Sequence, residues 1–224
     1  MGDKSILIVA GGQGTRMGAN RPKQFLDLQG KPILIHTLQN LHTACPEAAF
    51  TVVLPEDQHN TWLQLCREHA CTIQHQVVKG GNTRTESVRN GLATISAKGF
   101  IAIHDGVRPF VKSTFVQRLF HEAAQHGNAI PACGVRESLR QINGASSKAV
   151  DRSSFVTVQT PQVFDAAKLK EAFAQMDDAS FTDDATVFEA AGHSIHLSEG
   201  DPDNLKITLP ADLVWAEAIA DTFS

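Results

Sequence analysis

The first place in this chain where chemistry could be done is a glycine loop with two cations close behind it. An apolar run ends in Ala10-Gly11-Gly12-Gln13-Gly14-Thr15-Arg16-Met17-Gly18. A glycine loop at the carboxyl end of a strand, leading into a helix, offers bare backbone amides to phosphate oxygens. The dinucleotide fingerprint GxGxxG fails, because starting at Gly12 its third glycine would fall on Met17, and no Gly-Lys-Ser/Thr follows to make a P-loop. What remains is a phosphate loop with its own arginine. Pro22-Lys23-Gln24-Phe25 comes next, with proline stiffening the approach to Lys23. Seven residues apart beside a glycine loop, Arg16 and Lys23 read as a clamp on a polyphosphate.

A second cluster, His104-Asp105-Gly106-Val107-Arg108-Pro109, closes the apolar strand Phe100–Ile103. An aspartate at a strand's carboxyl end beside a phosphate site is placed to hold magnesium, which favours carboxylate plus phosphate oxygens; His104 reads as structural. Further on come Gly80-Gly81-Asn82-Thr83-Arg84-Thr85-Glu86-Ser87 ahead of a helix, and Gln159-Thr160-Pro161-Gln162 after a strand and preceded by Arg152. Thr182-Asp183-Asp184 has the form of a helix N-cap. In Asp201-Pro202-Asp203-Asn204-Leu205-Lys206-Ile207-Thr208, Lys206 could point inward to an anion. The ten histidines show no metal spacing beyond His193-x-x-His196, which does not fill a tetrahedral zinc site.

These clusters need a frame to bring them together. Short apolar runs fall at Ile6–Val9, Phe50–Leu54, Gln76–Val78, Phe100–His104, Ala129–Cys133, Phe155–Val158 and Ile195–Leu197. Helical patterns lie between them, at Ile33–Leu41, Trp62–His69, Ser87–Ser96, Phe115–His126, Ala166–Met176 and Asp184–Ala191, with a last one from Pro210. Such alternation predicts an α/β domain with a largely parallel sheet covered on both faces. Ligands then sit beyond the carboxyl ends of the strands, where the clusters fall. Residues 135–154 break the rhythm, being polar with Asn143-Gly144 in the middle, a hairpin signal. A hairpin so poor in apolar residues is either a mobile flap or an arm that embraces a second subunit.

Length and composition agree with one ordinary globule. The chain has 224 residues, 42% hydrophobic and 20% charged, and a net charge of −4. That charge argues against a dedicated binder of nucleic acid or anionic membrane, so an anionic substrate needs a local basic pocket. The four cysteines form no CxxC pair and no secreted disulfide framework. The leading apolar run is too short for a signal peptide and no stretch approaches a membrane span, so the expected location is the cytoplasm.

Taken in order, AGGxGxRMG, PKQF, GGxxRxxSV, HDxxRPF, VDR, QTPQxF, TDD and DNLKIT run from residue 10 to residue 208. This set resembles the 2-C-methyl-D-erythritol 4-phosphate cytidylyltransferases of the non-mevalonate isoprenoid pathway. The resemblance implies one Rossmann-like nucleotidyltransferase domain over residues 1–224, with 135–154 as an inserted β-hairpin arm that holds a homodimer. It implies transfer of a cytidylyl group from CTP to methylerythritol phosphate, with magnesium as cofactor. By the same resemblance, Arg16 and Lys23 stabilise charge on the α-phosphate and Asp105 holds the metal. Ala10, Gly11, Gly81, Asn82 and Ser87 line the cytidine site with the loop glycines Gly12 and Gly14, and Gly106 and Arg108 lie in the motif flanking the nucleotide. Thr160, Thr182, Arg152 and Lys206 surround the acceptor, joined by Ser138 from the arm. Two positions depart from some relatives, which carry Asp at 82 and Thr at 138. The nearest rival is a ribitol 5-phosphate cytidylyltransferase, which Val150-Asp151-Arg152 ahead of Gln159-Thr160-Pro161-Gln162 disfavours. A nucleotide-binding regulatory module without turnover is the rival of another class, disfavoured by the pairing of Lys23 with Arg16.

Overall fold

Ile6 and Ile8 turn to one side of the first strand and Leu7 to the other, and all three are fully buried. A strand apolar on both faces is stable only with helices packed on both. The computed structural model, which describes residues 3–12, 21–96, 98–176 and 181–223, has that construction. In chain order it contains β1 (Lys4–Val9), β2 (Asp27–Leu28), β3 (Lys31–Pro32), α1 (Ile33–Ala44), β4 (Ala49–Leu54), α2 (His59–Glu68), β5 (Gln76–Lys79) and α3 (Arg84–Ala93). There follow β6 (Phe100–Asp105), α4 (Ser113–His126), β7 (Asn128–Gly134), β8 (Leu139–Asn143), β9 (Ser146–Val150), β10 (Val156–Val158), β11 (Gln162–Asp165), α5 (Ala166–Gln175), α6 (Asp184–Ala190), β12 (Leu197–Glu199) and α7 (Pro210–Ala220).

An eight-stranded sheet has the order β10-β7-β11-β6-β1-β4-β5, with β12 also paired to β7. β1 is parallel to β4 and β6, β4 to β5, and β12 to β7. Only β10 and β11 run against the rest. The sheet is therefore mostly parallel, as expected, with one strand the periodicity misses. Gln162-Val163-Phe164-Asp165 is too short and too close to Pro161 to announce itself, yet Val163 and Phe164 are fully buried between β6 and β7. The two-residue pair β2–β3 is likewise invisible in the pattern.

One core layer gathers Ile6, Ile8, Val52 and Ala102 under α1, α2 and α4. The opposite layer gathers Leu7, Val53, Ile101 and Ile103 under α3, α5 and α6. A third cluster beneath α7 joins Leu28, Val107, Phe110 and Ile207 to Ala216. Gly106 lets the tips of β1 and β6 close on each other, since a Cβ there would stand 2.8 Å from the Ala10 Cβ. Among the described residues, no helix is long and apolar enough to cross a membrane.

The polar segment does form a hairpin, β8 against β9, with Asn143 paired to Ser146. Its two central residues are Gly144 and Ala145, one step beyond Asn143-Gly144. A positive φ of 58° at Gly144, the first of them, suits a type II′ turn. Nearly every position of the hairpin is exposed, and Ile142 is 79% exposed.

Candidate active site

Two hollows open at the carboxyl ends of the parallel strands, and they share a wall. The first, about 910 Å³, is lined by the β1 loop (Ala10, Gly11, Gly12), Lys23, the loop before α3 (Gly80 to Ser87) and Asp105. The second, about 730 Å³, is lined by Thr160, Gln162, Thr182, Asp183 and Arg108, among others. Arg84, Asp105 and Lys206 belong to both.

The loop before α3 is shaped by its own side chains. Thr83 caps the helix by accepting from Glu86 N at 3.0 Å, and the Glu86 carboxylate accepts from Asn82 N at 2.7 Å. Ser87 Oγ accepts from Gly81 N at 3.0 Å and donates to Thr83 O at 2.9 Å. A Cβ at Gly81 would overlap the Glu86 side chain, so the tight loop requires glycine there. Four side-chain hydrogen bonds within seven residues fix where Gly81 and Asn82 face the hollow.

The shared wall is an ion cluster. Asp105 Oδ2 lies 3.0 Å from Lys206 Nζ and 3.1 Å from Arg108 Nε, while Oδ1 is 3.9 Å from Arg84 Nε. Burial alone would push the Asp105 carboxyl up. Lys206, then Arg84 and Arg108, outweigh it and hold the group well below the usual carboxylate range. Arg84 also grips Asp184, which is fully buried at the start of α6, with both terminal nitrogens. Burial opposes the Arg84 charge, but Asp184 holds it protonated more firmly than a free arginine. Lys23 stands on the first hollow, so Lys23, Arg84, Arg108 and Lys206 bring four cations to the neighbourhood of Asp105 and Asp184, while Glu86 and Asp183 also line the hollows.

Behind the wall runs a neutral support. Asp105 N donates to Thr160 Oγ1 at 3.0 Å, and Thr160 Oγ1 lies 3.2 Å from His104 Nδ1. His104 Nε2 lies 3.0 Å from Arg108 O. Directions follow from bonding capacity. His104 donates from Nε2 to the carbonyl and accepts at Nδ1 from the threonine hydroxyl, which accepts in turn from the Asp105 amide. The imidazole is fully buried, and burial pushes its pKa down to about 4. Asn204 closes the circuit, donating to Thr160 O at 2.8 Å and accepting from Arg108 Nη1 at 2.8 Å through its carbonyl.

The residues singled out in the sequence are thus distributed. Ala10, Gly11, Gly12, Lys23, Gly81, Asn82 and Ser87 line the first hollow. Thr160, Thr182 and Arg108 line the second, while Gly106 sits behind the β1 tip. Arg108 therefore faces the second hollow, not the first. Ser138 and Arg152 line neither; both are exposed, and Arg152 bonds to Arg136 O within its own chain. Gly14 and Arg16 lie outside the described residues. Arg84, Asp184 and Gln162 stand in motifs named from the sequence, but the motifs alone assign them no role in the site. Gln162 ties β11 to α6, donating to Asp183 Oδ2 at 2.9 Å and accepting from Ala185 N at 2.9 Å. The signal for Arg84 and Asp184 was two opposite charges in the first turns of two helices, which sequence alone cannot pair.

A magnesium ion fits this donor set. Magnesium takes one or two carboxylates and completes its shell with phosphates and water. Asp105 Oδ1 is the one oxygen of that carboxylate beyond hydrogen-bond range of its cations, and Asp105 lines both hollows. No group of three or more His, Cys, Asp or Glu side chains suited to a fully protein-bound metal occurs among the described residues.

Comparison with known proteins bears on the same residues. The IspD family model, 2-C-methyl-D-erythritol 4-phosphate cytidylyltransferase, matches residues 5–222. An enzyme of that name from Bacteroides thetaiotaomicron is 46% identical over 216 residues, covering 96% of this chain and 99% of its own. One from Porphyromonas gingivalis is 46% identical over 214 residues, covering 95% and 96%. The crystal structure of the Thermus thermophilus enzyme of the same name superposes with a TM-score of 0.81 at 33% identity, covering 98% of this chain and 99% of that one. With the paired hollows and nearly the whole chain falling within these matches, the chain belongs to the 2-C-methyl-D-erythritol 4-phosphate cytidylyltransferase family.

Proposed function

We infer that this chain transfers the cytidylyl group of CTP to 2-C-methyl-D-erythritol 4-phosphate, releasing pyrophosphate and CDP-methylerythritol. The observation that carries the reading is the pair of hollows with one cationic wall between them. Two anions must meet in this reaction, and Arg84 and Lys206 face both. CTP occupies the first hollow, its base beside Ala10, Gly11, Gly81, Asn82 and Ser87 and its phosphates against Gly12 and Lys23. The acceptor occupies the second, against Thr160, Thr182 and Lys206, with Arg108 buttressing Asp105 from that side.

The chemistry is in-line attack of an acceptor phosphate oxygen on the α-phosphorus. The nucleophile is already an anion, so no general base is required, and His104, with both nitrogens engaged, is not positioned as one. What the chain supplies is position and positive charge. Lys23 and Arg16 stabilise the charge that builds on the α-phosphate and the leaving pyrophosphate. A magnesium ion held by Asp105 supplies further neutralisation of the nucleotide phosphates.

The second hollow is completed by another copy of the chain. Ser138 and Arg152 stand on or beside the exposed hairpin and line neither of the two substrate hollows of their own protomer. Phe155, Val156 and Val158 leave an apolar stripe, each more than 40% exposed, at the foot of that hairpin. Both observations support a homodimer in which residues 135–154 carry Ser138 and Arg152 to the partner's acceptor.

The test is pyrophosphate release from CTP with 2-C-methyl-D-erythritol 4-phosphate and ribitol 5-phosphate side by side. Turnover with the first well above the second is expected, and the reverse would reassign the acceptor. UTP in place of CTP should support little turnover; equal use of both would remove the base assignment, and no pyrophosphate at all would leave a binding module.

A further inference from the structure

At the amino ends of the parallel strands, opposite the end that carries the substrate hollows, the end of α2 sets two thiols side by side. Ala70 adopts a φ of 48°, and the chain closes with Cys71 N donating to Cys66 O at 2.8 Å and Ala70 N to Arg67 O at 3.2 Å. These are the paired bonds of a Schellman C-terminus, a motif that brings its first and last side chains into contact. Here those side chains are Cys66 and Cys71. Cys66 is buried in the layer beneath α2, and Cys71 packs against that layer from outside. Cys71 also opens on a hollow of about 900 Å³ lined by Glu47, Phe50, Leu63 and His75, which gives a small oxidant a route to it.

We propose that Cys66 and Cys71 form a reactive dithiol, which hydrogen peroxide or another peroxide closes to an intramolecular disulfide. The Cys71 thiolate attacks the O–O bond, giving Cys71 sulfenic acid and hydroxide. The Cys66 sulfur then attacks the Cys71 sulfur; the S–O bond breaks, and the oxygen leaves as water with the Cys66 proton. Two thiols lose two electrons and two protons, and one peroxide becomes two waters.

The electrostatics favour this order. The two thiols share a hydrogen bond in which Cys66 keeps the proton. That bond holds Cys71 below the ordinary thiol range against the opposing effect of burial, with smaller help from the Ile73 backbone and Lys31. Cys66 is pushed up by the same bond and by burial. Burial pushes the other two thiols, Cys45 and Cys133, up as well, and they serve as internal controls.

Trp62 stands one turn before Cys66 on α2, so it reports on the pair. Its Nε1 donates to His75 Nε2 at 2.9 Å, and its ring stacks on Phe25 with centroids 6.3 Å apart.

The experiment treats the full chain with low hydrogen peroxide at neutral pH, then alkylates free thiols and maps the peptides. In a Trp215→Phe background, Trp62 emission is followed in parallel. A Cys66–Cys71 disulfide is expected, two hydrogens lighter than the dithiol and reversed by dithiothreitol together with the emission change. Cys71 should react about tenfold faster than Cys133, the balance of a larger thiolate fraction and a lower intrinsic nucleophilicity. In Cys66→Ala, oxidation should stop at a Cys71 sulfenic acid that dimedone traps; in Cys71→Ser, Cys66 should stay reduced. Oxidation of Cys45 or Cys133 ahead of Cys71, or of Cys71 without linkage to Cys66 in the unsubstituted chain, would overturn the proposal.

Discussion

Arg84 and Asp184 lie 100 residues apart in the chain and meet in a two-point ion pair, Nη1 to Oδ1 at 2.8 Å and Nη2 to Oδ2 at 2.6 Å. The pair ties the start of α3 to the start of α6 and so fixes the wall between the hollows. The Asp184 side chain is 1% exposed, so losing its partner strands a buried charge. Arg84→Ala should destabilise the fold by up to about 3 kcal/mol, the low end of the cost of breaking a buried pair, because the Arg84 side chain is 28% exposed. Arg84→Lys should fall between, keeping the charge but losing the fork. Denaturant midpoints measure both, and an Arg84→Ala midpoint equal to that of the parent would show the pair to be idle.

Lys23→Ala and Arg16→Ala should each lower turnover by about two orders of magnitude, the scale for loss of one transition-state donor. Neither residue belongs to an apolar stripe of the sequence, so thermal unfolding should barely move. Steady-state rates on the folded variants decide it; near-parental turnover in either frees that residue from the chemistry.

Chelation with EDTA should abolish activity, and added magnesium should restore it. Asp105→Asn removes one charged ligand oxygen and should shift the magnesium requirement upward. Undiminished activity in EDTA would take the metal, and with it that role of Asp105, out of the site.

His104 gives the stability a pH signature. Its pKa is lowered from 6.5 to about 4 in the folded chain. Between those values the unfolded chain binds a proton that the folded chain refuses, so stability falls as pH drops through that window. The full loss is about 3 kcal/mol, from a shift of this size on a fully buried group. Asp105, held down by its cations, keeps its contribution until the pH falls below its ordinary 3.8, so the two windows are separate. Denaturant titrations from pH 7 to pH 4 should show a steep slope in the parent and a shallow one in His104→Gln. Equal slopes would assign the loss elsewhere.

Mixing inactive Lys23→Ala with inactive Arg152→Ala, and letting subunits exchange, should restore about a quarter of normal activity if sites are shared across a two-fold dimer. Each mixed dimer then has one site lacking both residues and one intact. A dead mixture after confirmed exchange would confine Arg152 to its own chain, and a fully active monomer in sedimentation would remove the dimer altogether.

The layered sheet was legible because its strands alternate in a way that water enforces. Ile6, Leu7 and Ile8 must all be buried, and only a two-faced α/β sheet does that. The Gly81–Ser87 loop was legible because tight turns and caps use local residue types. β11 was not, since its burial comes from β6 and β7, neither of which is near it in sequence. Arg84 and Asp184 were hidden for the same reason: each looks like an ordinary charge in a helix's first turn until the other arrives. Thr160 could be found by motif but not explained by it. Its hydroxyl spans Asp105 N and His104 Nδ1, a contact of 55 to 56 residues' separation that no spacing rule encodes.

The common wall of the two hollows carries a thermodynamic obligation. Arg84, Asp105 and Lys206 present the same charges to whichever anion arrives, so neither hollow titrates independently of its neighbour. An ion that draws Lys206 away from Asp105 changes the field met by the next one. By reciprocity, whatever factor the nucleotide imposes on acceptor affinity, the acceptor must impose on the nucleotide. A substitution at Lys206 will therefore be felt as a change in the coupling free energy between two ligands, a quantity that belongs to neither hollow alone.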